Sequence, residues 1–176
     1  MKEKIDRALI LAARHELRIR AARQSLSNFV LETTPGYQMG WVHREICDEL
    51  DGFLQDVADK KAPRLIICMP PRSGKSEIVS RSFPAYAFGL HPDMQIIATS
   101  YSADLTQRFS RDVQRKIDDP KYAEIFPETS LNSKNVKSTS FGSFIRTAEL
   151  FEIVGHRGAY RAAGVGGGIT GMGADI

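Results

Sequence analysis

The segment Met69-Pro-Pro-Arg-Ser-Gly-Lys-Ser76 places a glycine, a lysine and a hydroxyl side chain in consecutive positions. Gly74 lets the main chain approach an anion and take backbone angles that a Cβ forbids. Lys75 offers a positive charge to the terminal phosphates of a nucleotide, and Ser76 offers a hydroxyl ligand to Mg²⁺. The full pattern G-x-x-x-x-G-K-[ST] is not met, because its first position is Met69. These residue types predict a loop that binds a nucleotide through its phosphates.

The flanking residues predict the elements that would hold this loop. Residues 64–69 are a short apolar run, which at this length indicates a buried strand rather than a helix. After Ser76, apolar and small residues recur at helical spacing as far as Phe83, and Pro84 is expected to kink or end that helix. A strand, a turn and a helix N-terminus together form an anion site, since backbone N–H groups and the positive end of the helix dipole converge there.

The remainder of the chain predicts a sheet flanked by helices. Residues 94–100 are typical of a second strand, and residues 105–117 carry an apolar residue every fourth position, which predicts an amphipathic helix. This alternation of strands and helices predicts a parallel sheet with right-handed crossovers. Residues 141–148 and 151–154 are predicted to pair as a hairpin.

Glycines dominate the C-terminal residues, and positions 166–171 match G-x-G-x-x-G. That dinucleotide fingerprint must open a helix and precede an acidic residue by about 20 positions, and neither condition is met. We therefore interpret the match as a glycine-rich loop that moves, or that closely approaches a phosphate or a neighbouring subunit.

The N-terminal residues predict two further helices. Residues 1–32 contain neither glycine nor proline and predict one long helix, which the turn at 33–36 ends. Residues 1–24 carry seven basic and three acidic side chains, a local excess of +4. This excess is typical of a solvated helix face, and contact with DNA or with a partner subunit is the alternative. Residues 43–57 carry an apolar stripe that would pack on a core.

Composition limits the classes of protein that the chain can belong to. The length of 176 residues, with 42% hydrophobic and 26% charged residues, fits one globular domain. A net charge of +3 does not require a nucleic-acid partner, and neither a signal peptide nor a membrane span is expected. Cys47 and Cys68 both lie in apolar patterns, which predicts buried thiols in a reducing cytoplasm.

Four blocks, at residues 35–43, 69–77, 98–108 and 158–171, together resemble the ATPase domain of the large terminase subunit of tailed phages and prophages, the motor that packages DNA into a capsid. The resemblance implies a P-loop NTPase fold of the RecA/ASCE type, with a parallel sheet flanked by helices. In this interpretation residues 1–34 form an N-terminal helical extension and residues 35–176 form a partial ATPase domain.

The resemblance also implies ATP and Mg²⁺ as cofactors and assigns residues to them. The nucleotide would be bound by Tyr37, Gln38, Pro71, Arg72, Ser73, Gly74, Lys75, Ser76 and Glu77. Within this set Ser76 would be the Mg²⁺ ligand, and Tyr37 with Gln38 would face the adenine. Arg72 would act on the γ-phosphate in cis, where a positioned arginine stabilises the charge of phosphoryl transfer. Arg161, and less strongly Arg157, would serve a neighbouring subunit's site in trans.

The expected partners follow from the same resemblance: double-stranded DNA, a small terminase subunit, the portal protein and further copies of the chain in a ring, in the cytoplasm of a bacterial host. DNA would contact the basic face of the 103–117 helix, which carries Arg108, Arg111, Arg115 and Lys116. A strand with the Walker B acidic residues and a nuclease domain would be expected after Ile176, so Asp175 is given no role. Hydrolysis by these residues alone is therefore expected to be weak.

Two alternatives remain open at this level. Another P-loop ATPase, such as a superfamily-2-like helicase, would explain the loop and the second strand but not the glycine-rich C-terminal block. A non-catalytic prophage remnant that only binds other subunits would need no nucleotide. Nucleotide binding distinguishes the last alternative from the other two.

Overall fold

The computed structural model describes residues 2–137, 143–166, 168–169, 171 and 173–176, with side chains described from residue 7 onward. The helices are α1 (Lys2–Gln24), α2 (Leu26–Thr33), α3 (Trp41–Ala58), α4 (Phe83–Leu90), α5 (Ala103–Ile117) and α6 (Pro120–Ile125), and a π-helical segment (Glu77–Ser82) runs directly into α4. The strands are β1 (Gln95–Ser100), β2 (Leu150–Glu152) and β3 (Ala159–Gly164). The predicted α/β class is confirmed.

The three strands form one mixed sheet in the order β1-β3-β2. β1 pairs with β3 in parallel, and β2 pairs with β3 in antiparallel orientation. The predicted parallel pair of residues 64–69 and 94–100 does not form, and the parallel pair in the structure is β1 with β3. β3 itself was missed, because the glycines around it indicated a loop, although Tyr160 and Ala162 alternate into the core.

Residues 64–69, predicted as a buried strand, have no regular secondary structure, and Ile66 is 88% exposed. A strand requires a neighbouring strand that completes its backbone hydrogen bonds. Residues 64–69 and β1 instead border a cavity of about 340 Å³, which is lined by Leu65, Ile67 and Ile96. The edge of β1 away from β3 instead meets residues 175–176: the Ile97 amide donates to the Ile176 carbonyl at 2.9 Å. The prediction of a strand at 64–69 is therefore wrong in this structure.

The predicted hairpin is only partly present. Residues 138–142 lie outside the described residues, and within 143–148 Arg146 forms a single isolated bridge with Phe151 instead of a strand. β2 begins at Leu150 and provides the second strand of the prediction.

The predicted helix over residues 1–32 is divided at Ser25 into α1 and α2. The Asp51 carboxylate of α3 accepts a hydrogen bond from the Leu26 amide at 3.0 Å, and so satisfies a backbone donor at the start of α2. α2 ends at Thr33, as the turn signal predicted. α6 was not predicted; the Asp119 side chain caps it by accepting from the Lys121 amide.

Aromatic side chains form the centre of the core. Phe29 of α2 packs against Tyr86 of α4 and Tyr122 of α6, with ring centroids 5.4 and 6.0 Å apart. Buried residues of α1, α3 and α5 belong to the same core, and in α3 these are Ile46, Cys47, Leu50 and Leu54. Cys47 is buried as predicted, whereas Cys68 is exposed because residues 64–69 are not covered. Among the described helices, none has the length and apolar character to cross a membrane.

Candidate functional site

The predicted phosphate-binding residues form a turn that is closed by its own hydrogen bonds. The Ser73 hydroxyl donates to the Pro70 carbonyl at 2.6 Å. Arg72 and Gly74 both have positive φ, at 60° and 84°, and the Glu77 amide donates to the Gly74 carbonyl at 3.0 Å. The chain therefore turns sharply at Arg72–Gly74 and begins a helix immediately afterwards.

After Lys75 and Ser76 that helix takes π geometry over Glu77–Ser82 and changes to α geometry at Phe83. Pro84 has no N–H to donate, and its ring would clash with the carbonyl four residues earlier in a regular α-helix. The wider π turn before it avoids this contact, and π turns are frequent at functional sites. The helix does not end at Pro84, because it continues in α geometry to Leu90. Ser82, in the last π turn, holds the one buried side-chain oxygen among the described residues that lacks a hydrogen-bond partner.

Two side chains pack behind Gly74. A Cβ at Gly74 would lie 2.6 Å from the Tyr37 hydroxyl and 3.1 Å from the His43 Nε2. The Tyr37 hydroxyl donates to the Gly74 carbonyl at 3.5 Å, and the His43 Nε2 bonds the Ser73 carbonyl at 2.7 Å. The turn is held from the α3 side, and only glycine fits at its centre.

The basic side chains of the turn are not neutralised within the described part of the chain. Lys75 is half-buried and Arg72 is exposed, and neither makes an ion pair or a side-chain hydrogen bond with a described residue. Ser76 lies in the first helical turn beside them. A backbone turn that opens a helix next to an uncompensated ammonium group is a positive environment suited to an anion.

Glu77, predicted as part of the nucleotide site, faces a different group of side chains. Its carboxylate lies 3.3 Å from the Lys116 Nζ and 3.3 Å from the Arg81 guanidinium. Arg81 also pairs with Asp112 of α5 at 2.8 Å. Burial lowers the pKa of Lys116, and the nearby Glu77 carboxylate partly offsets this effect. Glu77 therefore joins the start of the helix to α5.

Other predicted site residues lie away from the turn. Gln38 is exposed and makes no hydrogen bond with a described residue. Arg161 and Arg157 line a separate cavity with Gln95, at the sheet rather than at the turn. Within one chain the structure thus brings together Tyr37 and residues 70–77, and it does not bring Arg157 or Arg161 to them.

The predicted basic face of α5 is narrower than the sequence indicated. Arg108, Arg111 and Arg115 are exposed on one face of the helix. Lys116 is not part of this face: its side chain is only 9% exposed, and it donates to the Thr34 hydroxyl at 2.8 Å. The prediction of an exposed Lys116 is wrong, because its side chain points to Glu77 and to the threonine hydroxyls at the end of α2.

Two features of the turn are compatible with binding of a nucleotide phosphate. The positive φ of Gly74, with two side chains behind it, leaves a backbone surface that no Cβ covers. Lys75 carries a positive charge, and Ser76 carries a hydroxyl, the kind of group that binds Mg²⁺.

Sequence reasoning gave His43 no place in the site. The sequence offered one indication, which is that His43 follows Tyr37 by six residues. An extended segment at Gly40 and the first turn of α3 separate the two residues, and this arrangement can place both rings on the same side of a loop. The rings do meet, with centroids 5.5 Å apart at 67°.

Fold and site together define an α/β protein in which a turn containing Gly74 and Lys75 precedes a helix. No acidic side chain among the described residues pairs with Lys75. The sequence matches the family described as "Terminase large subunit, T4likevirus-type, N-terminal" over residues 66–176, more than half of the chain. The chain belongs to this family, which indicates a component of a phage DNA-packaging machine. Searches of curated proteins and of solved structures gave no match.

Proposed function

We propose that this chain forms the ATP-binding part of a phage DNA-packaging motor, in which hydrolysis of ATP drives movement of DNA into the capsid. The observation that carries the proposal is the turn at residues 70–76. It joins a glycine with positive φ, a helix N-terminus and a lysine that has no ion pair with a described residue. Family membership supports the same assignment without depending on this geometry.

The phosphates would be held mainly by the main chain. At a helix start the first N–H groups have no partner within the helix, so they are free to donate to an anion. The Gly74 carbonyl already accepts from the Glu77 amide, which directs the next N–H, that of Lys75, away from the helix body. The Lys75 ammonium would then meet the terminal phosphates from the side.

Mg²⁺, when bound with ATP through Ser76, would neutralise charge on the β- and γ-phosphates. Arg72 is the protein group that could reach the γ-phosphate from within the turn, because it is exposed and unpaired within the described part of the chain. Tyr37 borders the turn and could also border the base, with Gln38 next to it. In an assembled ring Arg161 would act on a neighbouring subunit's nucleotide.

DNA would lie along α5. Arg108, Arg111 and Arg115 form an exposed row on this helix, and contacts to phosphates carry no sequence preference, which suits a motor that must move any DNA. The small terminase subunit and the portal protein complete the set of partners that we propose.

Isothermal titration of the chain with Mg-ATP tests the proposal. Wild type should bind, and Lys75→Ala should weaken binding by at least about tenfold, because a charge-assisted contact to phosphate is lost. Lys134→Ala is the matched control, since Lys134 is exposed and its side chain is unpaired within the described residues. Equal binding by wild type and Lys75→Ala, or no binding by wild type, contradicts the proposal.

A further inference from the structure

The turn at Ser73–Gly74 is held by one side chain of α3 that also organises the start of its own helix. His43 Nδ1 lies 3.0 Å from the Gly40 amide, and His43 Nε2 lies 2.7 Å from the Ser73 carbonyl. A backbone amide can only donate, so Nδ1 must be the acceptor. The neutral ring therefore carries its proton on Nε2 and donates it to Ser73.

This bond fixes the orientation of a peptide group in the turn. The peptide between Ser73 and Gly74 is planar and trans, so its N–H points opposite to its C=O. Because the Ser73 carbonyl points toward His43, the Gly74 N–H points to the side of the turn away from α3. That is the side from which an anion can approach, since Tyr37 and His43 fill the space behind Gly74.

From this geometry we infer that His43 is a positioning residue for phosphate binding: its Nε2–H holds the Ser73 carbonyl and thereby presents the Gly74 N–H to the nucleotide. The inference rests on the proposed function, because the ligand of the turn is taken to be ATP. His43 does not touch the phosphate and takes no part in proton transfer.

His43 makes two bonds that can be separated by substitution. In His43→Gln the amide nitrogen can reach the position of Nε2 and donate to Ser73, while the bond to Gly40 is lost. In His43→Asn the shorter side chain can accept from the Gly40 amide, while the bond to Ser73 is lost. Arg44→Ala, one residue later on the exposed face of α3, is the control.

Mg-ATP affinity of the full chain should differ between the two variants although each loses one hydrogen bond of His43. We expect His43→Asn to lose no more thermal stability than His43→Gln but to lose about threefold to tenfold in affinity, the range of one hydrogen bond. His43→Gln should lose stability and bind ATP within about twofold of wild type. If affinity simply followed stability across both variants, His43 would be only a helix-capping residue and the inference would be wrong.

Two further readouts separate failure of this inference from failure of the proposed function. If wild type binds ATP, Lys75→Ala does not bind it and His43→Asn binds it with wild-type affinity, only the role of His43 would be overturned. Absence of ATP binding by wild type would overturn the proposed function itself. Independently of nucleotide, long-range ¹H–¹⁵N correlation spectra should show the His43 proton on Nε2, and a proton on Nδ1 would contradict the inferred bond.

Discussion

The Glu77 carboxylate lies 3.3 Å from the Nζ of Lys116, and Lys116 is only 9% exposed on α5. Glu77 follows Ser76 directly in the sequence, so the residue that begins the π-helical segment after the proposed phosphate-binding turn is paired with a nearly buried cation. Arg81 joins the same group, because it contacts both Glu77 and Asp112 and lies over the Phe109 ring. The turn is thus attached to the helix that carries the proposed DNA-binding arginines.

The Glu77–Lys116 pair should contribute measurably to stability. Glu77→Gln leaves a nearly buried ammonium without its carboxylate, and we expect a loss of about 1–3 kcal/mol in the free energy of unfolding. Adding Lys116→Met removes the uncompensated charge, so the double variant should be more stable than the sum of the single effects predicts. Urea unfolding of the four proteins measures this coupling.

An exposed ion pair provides the control for this double-mutant cycle of Glu77 and Lys116. Lys61 lies 2.8 Å from Asp56, but both side chains are about half exposed. The equivalent cycle with Asp56→Asn and Lys61→Met should therefore give a much smaller coupling than the cycle with Glu77 and Lys116. Equal coupling in the two pairs would show that burial of Lys116 is energetically unimportant.

Gly74 should tolerate substitution less well than another glycine of similar backbone conformation. Gly74→Ala places a methyl group 2.6 Å from the Tyr37 hydroxyl, in addition to the cost of a positive φ. Gly36 has φ of 80° and no atom within 4 Å of the added Cβ, so Gly36→Ala carries the backbone cost alone, about 1 kcal/mol.

We expect Gly74→Ala to lose more stability than Gly36→Ala and also to weaken Mg-ATP binding, because the turn must move away from Tyr37 and His43. Gly36→Ala should leave ATP affinity unchanged. Thermal unfolding and titration of both variants test this prediction, and a normal ATP affinity in Gly74→Ala would contradict it.

Asp51 should make stability depend on pH in mildly acidic solution. Burial raises the pKa of Asp51 to about 6, and the hydrogen bond from the Leu26 amide opposes that shift without overcoming it. Because the pKa of Asp51 is raised in the folded state, Asp51 makes its full contribution to the free energy of unfolding below its ordinary pKa of 3.8. That contribution is lost as pH rises through about 6.

Asp51→Asn keeps an acceptor for the Leu26 amide and removes the ionisable group. Relative to wild type, this variant should gain stability as pH rises from about 4 to 7, by on the order of 1 kcal/mol after allowance for partial solvent exposure. Denaturant midpoints measured across this pH range test the sign. A variant that loses stability relative to wild type as pH rises would show that the ionised carboxylate is favoured in the fold, and a difference that is the same at every pH would show that folding does not shift the pKa of Asp51.

The arginine row of α5 predicts a salt-dependent affinity for double-stranded DNA. Arg108 is unpaired within the described part of the chain, and Arg115, 72% exposed, is paired with Asp112. Reversing both charges to glutamate should lower affinity and should reduce the slope of log affinity against log salt by about one for each lost phosphate contact.

The matched control for the α5 variant lies on α1. Arg14→Glu combined with Arg20→Glu makes the same change in net charge on an exposed helix. If this α1 variant reduces the slope and the α5 variant does not, DNA binds the N-terminal helix, the alternative that its charge excess of +4 suggested.

The sequence predicted most of what depends on local pattern. α3 and α5 follow from their apolar periodicity, and the end of α2 follows from the turn residues at 33–36. The turn at Gly74 was also predictable, because a glycine followed by a lysine and a serine has few other uses at the start of a helix.

What failed depends on neighbours that a sequence pattern cannot supply. Residues 64–69 have strand composition, yet a strand forms only where an adjacent chain segment completes its hydrogen bonds. β3 forms in a glycine-rich stretch because β1 and β2 pair with it on both sides, and Gly158 allows the close approach of the Pro92 carbonyl. The contacts of His43 with Ser73 and of Lys116 with Glu77 join residues at least 30 positions apart, which periodicity does not reveal.

The most direct test of nucleotide binding at the turn is a ¹H–¹⁵N NMR titration of the wild-type chain with Mg-ATP. The amide signals of Gly74, Lys75 and Ser76 should shift more than any others, because these N–H groups are proposed to donate to the phosphates. Shifts centred on the C-terminal glycines at 164–171, or no shift at saturating ATP, would contradict the account.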